Sequence, residues 1–255
     1  MTKILFYDIE TAPNLSYVWG HYEQDVVAHR KEWYILCVSY QWLGEKDVHV
    51  AALCDWADDY ASDPENDFNV VQVLWHLIDE ADIVIAHNGD KFDMRKANAR
   101  FAYHRLGPPS PVRQIDTLKV ARKHFMFNSN RLGDLGTHLG VGTKRSTGGF
   151  GTWAGCMRGD PSAWQQMKKY AKQDIVVLRN VYTQLRPWMT NHPNVTIFDD
   201  SKSTMSCPTC GSLKIQKRGF KRTQVASYQQ FQCLDCKSYS RSRLAEKGVS
   251  QDIIP

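Results

Sequence analysis

Two carboxylates close the run Lys3-Ile4-Leu5-Phe6-Tyr7-Asp8-Ile9-Glu10-Thr11. Residues two apart on a strand share a face, so Asp8 and Glu10 project together from an apolar element. Paired acids repel unless a cation lies between them, and hard divalent ions such as Mg²⁺ take oxygen ligands. The same residues also read as a strand end whose acids face water. A third acid, Asp174, stands four residues after Tyr170 in the stripe Met167, Ala171, Leu178, Val181, Leu185. An aspartate on a core-facing helical stripe needs a cation or a hydrogen-bonding partner. A neighbouring helix end would serve as well as a metal, with Tyr170 a core aromatic. A fourth acid, Asp93, follows the turn His87-Asn88-Gly89-Asp90-Lys91-Phe92. It falls on the first turn of a helix, where the helix dipole alone favours an acid, and where it can aim at the end of a sheet at which ligands collect.

The cysteines offer a second chemistry. Cys207-Pro208-Thr209-Cys210 and Cys233-Leu234-Asp235-Cys236 are two Cys-x-x-Cys turns, whereas Cys37, Cys54 and Cys156 are scattered. An odd total with two close pairs points to metal rather than disulfides, and four thiolates suit a tetrahedral Zn²⁺ at about 2.3 Å. The intervening stretch suits a hairpin of two short strands. A segment this short builds no core of its own, so the metal would supply its folding energy.

The elements that must position these groups follow from periodicity. Ile4 to Tyr7 reads as a buried strand, and Trp33–Leu43 and Val48–Leu53 as a hairpin beside it. Residues 55–69 are acidic and turn-rich, a solvated loop. Val70 to Ala81 has helical spacing, with Val70, Val73, Leu74, Leu77 and Ile78 on one face. Asp82–Ala86 is a short buried strand, and Phe92–Leu106 a helix that Phe92 would anchor against the sheet. Val112–Leu118 is strand-like, and two short helical stretches follow near 118–127 and 131–139. Residues 140–159 are glycine-rich and read as a mobile loop. Asp160-Pro161 opens a long helix as N-cap and first turn, running to about Leu185. Residues 187–206 form a polar connection. This order predicts an α/β fold, a mixed sheet flanked by helices, followed by a small metal-held unit.

Charge divides the same way. The 255-residue chain has a formal net charge of +5. From Ser201 onward it holds ten Lys/Arg against three acids, leaving a slightly acidic body. Basic and aromatic residues interleave there: Lys217, Arg218, Phe220, Lys221, Arg222, Tyr228, Phe231, Tyr239, Arg241 and Arg243. That pattern suits cations on phosphates and rings on bases; a solvated ribbon face or a protein-docking surface has the same composition. No apolar run has the length to cross a bilayer, and the N-terminus is not a signal peptide. The expected location is the cytoplasm.

Asp8-x-Glu10 after a strand, Asn88-x-x-x-Phe92-Asp93 after another, and Tyr170-x-x-x-Asp174 on a late helix occur in this order. Together they resemble the three motifs of the DEDD, or DnaQ-like, 3′–5′ exonucleases of ribonuclease H-like fold. The tyrosine variant is indicated, because Lys169 stands where the histidine variant has His. Ile115-Asp116-Thr117-Leu118 and Leu132 to Gly142 also resemble the family, and with the cysteine tail the whole resembles phage-encoded exonucleases, so that the expected location becomes the host cell cytoplasm. The resemblance implies two Mg²⁺ or Mn²⁺ ions and the catalytic set Asp8, Glu10, Asp93, Tyr170 and Asp174. It makes Asp8 the bridging ligand, places Glu10 and Asp174 on the water-activating ion and Asp93 on the second, and has Tyr170 orient the attacking water. It further implies a 3′–5′ exonuclease acting on DNA. An exoribonuclease of the same fold is the alternative, and a non-catalytic nucleic-acid-binding or replication adaptor the alternative from another class.

The expected organisation is an exonuclease domain over 1–198, a linker over 199–206, and a zinc ribbon with a basic tail over 207–255. One structural Zn²⁺ is held by Cys207, Cys210, Cys233 and Cys236. Expected nucleic-acid contacts are Asn88, Lys217, Arg218, Lys221, Arg222, Arg241 and Arg243. A DNA polymerase or another replication or recombination protein is a candidate partner in trans, and no membrane is expected. Asp90 reads as a solvated turn acid, Asp116 as a satisfied strand-end acid, and His87 as structural. Lys144 and Arg145 read as a solvated loop within reach of phosphate.

Overall fold

The structure, a computed structural model, describes residues 2–22, 25–143, 148–199 and 205–248. Lys144 and Arg145 lie outside the described residues. The chain divides into two compact units, Lys3–Val181 and Met1–Thr2 with Tyr182–Pro255.

In the larger unit, β1 (Ile4–Thr11) is followed by the ribbon β2 (Leu15–Tyr17) and β3 (Ala28–Lys31), then β4 (Ile35–Trp42) and β5 (His49–Ala52). Next come α1 (Ala57–Ser62), α2 (Phe68–Glu80), β6 (Ile83–Ala86), α3 (Asp93–Tyr103), β7 (Arg113–Asp116), α4 (Thr117–His124), α5 (Leu132–His138), α6 (Phe150–Met157) and α7 (Pro161–Leu185). Five strands form a mixed sheet in the order β5-β4-β1-β6-β7. β4 lies antiparallel to β1, whereas β6 runs parallel to β1, and β7 to β6. The first four residues of β1 and all four of β6 are buried, as central strands covered on both faces require. This is the mixed α/β sheet flanked by helices that the sequence predicts. Among the described residues no helix is long and apolar enough to cross a membrane.

Several expectations are corrected. Residues 55–69 are not simply a solvated loop. They include α1, and Asp67 is 0% exposed. Its carboxylate accepts from the Ile35 amide at 2.8 Å and Arg100 Nε at 2.7 Å, and lies 2.6 Å from His104 Nε2. A buried charge held by such partners is invisible to composition. The glycine-rich segment 140–159 contains α6, where Cys156 is fully buried. A Cβ on Gly155 would lie 2.5 Å from that of Ala163, so glycine there permits the close approach of α6 to α7. Phe92 does not anchor α3 in the core; it is 39% exposed, with the Lys96 ammonium 5.1 Å from its ring centre.

The smaller unit contains β8 (Ile215–Arg222), β9 (Ala226–Cys233), β10 (Tyr239–Arg241) and β11 (Lys247–Gly248), with β9 paired to the other three. β8 and β9 are the hairpin expected between the cysteine turns. The division between the compact units, at 181/182, falls within α7. The stretch after Leu185 packs within the smaller unit. Met189 and Val195 are buried, the Val195 amide donates to Pro208 O at 2.8 Å, and Tyr182 Oη lies 2.8 Å from His192 Nε2. Of the expected linker 199–206, Asp199 is buried and 200–204 lie outside the described residues.

Candidate active site

β1 is the central strand; its pairing with β6 stops at Phe6, whereas β4 follows it to Thr11. The pairing register places Asp8 opposite Ser39 and Glu10 opposite Cys37, with an irregularity between Glu10 and Thr11. The extra residue there is Leu36 on β4, and such an irregularity increases the local twist beside Glu10. α7 begins where Asp160 Oδ1 accepts the Ser162 amide at 2.8 Å, and its buried stripe includes Met167, Ala171, Leu178, Val181 and Leu185. Asp174 belongs to that stripe and is 2% exposed. One carboxylate oxygen from each of Asp8, Glu10 and Asp174 lies within 4.8 Å of the others. Three acids this close, one of them buried, form an oxygen donor set suited to a hard divalent cation.

Tyr170 stands one helical turn before Asp174 and shares a hydrogen bond with its carboxylate. Burial, then the charges of Asp174 and Glu10, push the Tyr170 phenol far above its usual range. It therefore stays protonated and donates. Its ring meets that of Trp153 edge-on, with centroids 6.1 Å apart.

Asp93 stands outside the three-acid cluster. As the first residue of α3 it is 1% exposed, and its Oδ1 accepts the Ile9 amide at 3.1 Å. Burial pushes its carboxyl up to about 6, against the opposing effect of the Ile9 hydrogen bond. The turn leading into α3 is tight. Asn88 adopts φ 68°, which an asparagine tolerates, and a Cβ on Gly89 would lie 2.5 Å from Ala86 Cβ. Asp116 fixes the turn from below, since its Oδ1 accepts the Asn88 amide at 2.9 Å and the Leu118 amide at 2.9 Å. The sequence suggests a satisfied strand-end acid; Oδ1 meets that expectation, whereas Oδ2 is buried without a hydrogen-bond partner among the described residues. His87 is structural, with Nδ1 2.8 Å from Thr117 Oγ1 and Nε2 2.9 Å from Asn130 O. Asp90 pairs with Lys119.

Two clefts flank the acids. Beyond Glu10, Thr11, Ala12, Pro13 and Asn14 line an apolar slot of about 350 Å³ with Trp33, Lys96, Phe150 and Trp153. The Lys96 ammonium lies 3.9 Å from the Trp33 ring centre and donates to Thr11 Oγ1 at 3.1 Å. Burial lowers its pKa. These slot residues are missing from the sequence-derived set. Phe150 and Trp153 stand three apart on one helical face, a signal hidden among glycines, and no spacing links Trp33 to Lys96. On the Asp8 side a second, polar cleft of about 470 Å³ reaches Asn88.

In the smaller unit the four cysteine sulfurs also lie within 4.8 Å of one another. Cys207 and Cys236 Sγ are 3.6 Å apart, and Cys210 and Cys233 Sγ 3.7 Å. These separations far exceed a disulfide bond of about 2.05 Å. They are near the edge of about 3.8 Å that a tetrahedron of thiolates around an ion at about 2.3 Å has, so the four can hold a metal. Lys217, Arg218, Lys221 and Arg222 are exposed along β8, and the Arg241 guanidinium stacks 3.9 Å from the Tyr228 ring centre.

A family model described as RNase_H superfamily matches residues 5–186. No curated protein matches the sequence. Among solved structures, the chain is similar to the family B DNA polymerase from the hyperthermophilic archaeon Pyrobaculum calidifontis, with TM-score 0.55 and 13% identity over 74% of this chain and 25% of that one. The chain thus spans about a quarter of that polymerase, and at this identity the likeness concerns the fold alone.

Proposed function

The chain belongs to the RNase H superfamily, and on that premise we propose that it is a divalent-metal-dependent 3′–5′ exonuclease acting on DNA, at single strands or frayed ends. The observation that carries this reading is the meeting of Asp8, Glu10 and Asp174 within 4.8 Å. Mg²⁺ or Mn²⁺ would be held by these three acids, with Asp8 shared between two ions and Asp93 on the second. Asp93, whose Oδ1 accepts the Ile9 amide, would act on that second ion directly or through water. Bound divalent ions supply an activated water and neutralise charge on the reacting phosphate. Tyr170, kept protonated, positions the attacking water rather than removing its proton. The aromatic slot beside Thr11 suits the terminal base.

In this reading residues 1–198 are the exonuclease domain and 207–255 a ribbon built on one Zn²⁺ at Cys207, Cys210, Cys233 and Cys236. Lys217, Arg218, Lys221, Arg222, Arg241 and Arg243 would track a nucleic-acid backbone, and Asn88 would touch the strand near the acids. A polymerase or another replication or recombination protein is a candidate partner.

The test uses end-labelled DNA and RNA with free or blocked 3′ ends, with and without chelator. Metal-dependent shortening from free 3′ ends of DNA supports the reading. Preference for RNA moves it to an exoribonuclease. Binding without cleavage in Mg²⁺ and Mn²⁺ overturns it in favour of an adaptor.

A further inference from the structure

The polar cleft on the Asp8 side has more to do than border the acids. Its lining includes Asp8 and Asn88, then Arg122 at the end of α4 and Arg131 just before α5, with Asn128 and Ser129 between them. Both arginines are exposed. Among the described residues neither guanidinium has an ion pair or a side-chain hydrogen bond. Two other cations have partners of their own: Lys119 pairs with Asp90, and Lys96 with Thr11 and Trp33. The segment carrying Arg131 is fixed, because Asn130 O meets His87 Nε2 at 2.9 Å and Ser129 Oγ accepts the Arg131 amide at 3.3 Å. Two fork-shaped cations lining one cleft, beside a site of three acids, have the charge and donor chemistry that a phosphate diester takes.

We propose that Arg122 and Arg131 bind the internucleotide phosphate immediately upstream of the scissile one, as positioning residues that align the strand across Asp8. This rests on the nuclease reading. The cluster of acids repels a polyanion wherever no metal neutralises it, so a strand entering from the Asp8 side needs opposite charge next to it. The two clefts differ in kind: an aromatic slot beyond Glu10 suits a terminal base, and a cationic cleft beyond Asp8 suits backbone. A strand that fits both can lie in one direction only, which gives the site a basis for polarity.

The experiment is a cycle between protein and substrate. Wild-type protein and R122A/R131A are given single-stranded oligodeoxynucleotides carrying either phosphate or an uncharged methylphosphonate at the linkage one nucleotide upstream of the scissile bond. The wild type should lose about tenfold or more in kcat/KM with the neutral linkage. R122A/R131A should be slower on ordinary DNA, mainly through KM, and change less than about twofold on neutralisation. Its salt slope should be about 0.7 to 1 unit shallower than that of the wild type, since one phosphate is neutralised. R122K/R131K, which keeps charge without the fork, should fall between. The arginines are exposed, so a thermal melt should show the fold retained; if the double alanine variant fails to fold, the lysine pair and the wild-type response to the neutral linkage carry the test. Equal sensitivity of the alanine variant and wild type to the neutral linkage, or a wild type indifferent to it, overturns the phosphate assignment while leaving the nuclease intact. A wild type that cleaves neither substrate overturns the nuclease reading and this proposal with it.

Discussion

Asp93 Oδ1 accepts the backbone N–H of Ile9 at 3.1 Å. Ile9 lies between Asp8 and Glu10, so the second-motif acid holds the very strand that presents the first-motif pair. An acid expected to act on a metal is also a clamp on the site's backbone, and it is buried among groups that disfavour its charge.

That burial has a sign that can be measured. The Asp93 carboxyl is pushed up to about 6 from 3.8. Between those values the metal-free native protein keeps a proton that the unfolded chain has lost, so stability falls as pH rises through about 4 to 6, by at most about 3 kcal/mol. D93N cannot ionise and should remove that slope. Urea unfolding across this pH range, with chelator present, checks it, and a slope shared by wild type and D93N would refute it.

Asp174 brings a third acid to the cluster. D174N should reduce nuclease turnover by about 10³-fold or more, because the proposed metal ligand and the hydrogen-bond partner of Tyr170 are both altered. Relief of repulsion among three acids should leave the metal-free melting temperature equal or a few degrees higher. Full activity in D174N would sink the assignment.

Tyr170 differs in kind. Y170F keeps the ring against Trp153 and removes only the hydroxyl, so turnover should drop about tenfold with metal affinity nearly unchanged. Since the phenol is pushed far above its usual range, loss of the hydroxyl should not shift the pH–rate profile. Turnover equal to wild type takes Tyr170 out of the mechanism.

Asp67 tests the scaffold. It is fully buried, between Arg100, His104 and the Ile35 amide. D67A should cost about 3–5 kcal/mol, because it leaves a guanidinium buried without its partner. Chemical denaturation reads this directly, and a loss under about 1 kcal/mol would mean that the network rearranges freely.

The cysteine site predicts one equivalent of bound zinc per chain, measured by elemental analysis. C233S should lower the zinc content and increase proteolysis between residues 205 and 248, while the larger unit keeps its melting transition. Zinc content unchanged in C233S would refute the four-thiolate site.

Local pattern carried a large part of this molecule. The apolar run ending in Asp8 and Glu10, the helix opened by Asp160-Pro161 with Tyr170 and Asp174 in its stripe, and the paired Cys-x-x-Cys turns are all short-range features, since strand and helix periods fix which side chains share a face. That Asp174 reaches Asp8 and Glu10, whereas Asp93 turns to the Ile9 amide, is decided by how α3 and α7 pack on the sheet. The same packing buries Asp67 within an acidic stretch, forms α6 out of a glycine-rich one, and brings Trp33, Lys96 and Trp153 to one slot. These depend on pairings across long chain separations, which no periodicity encodes, because the energy that settles them comes from groups meeting only when the chain is folded.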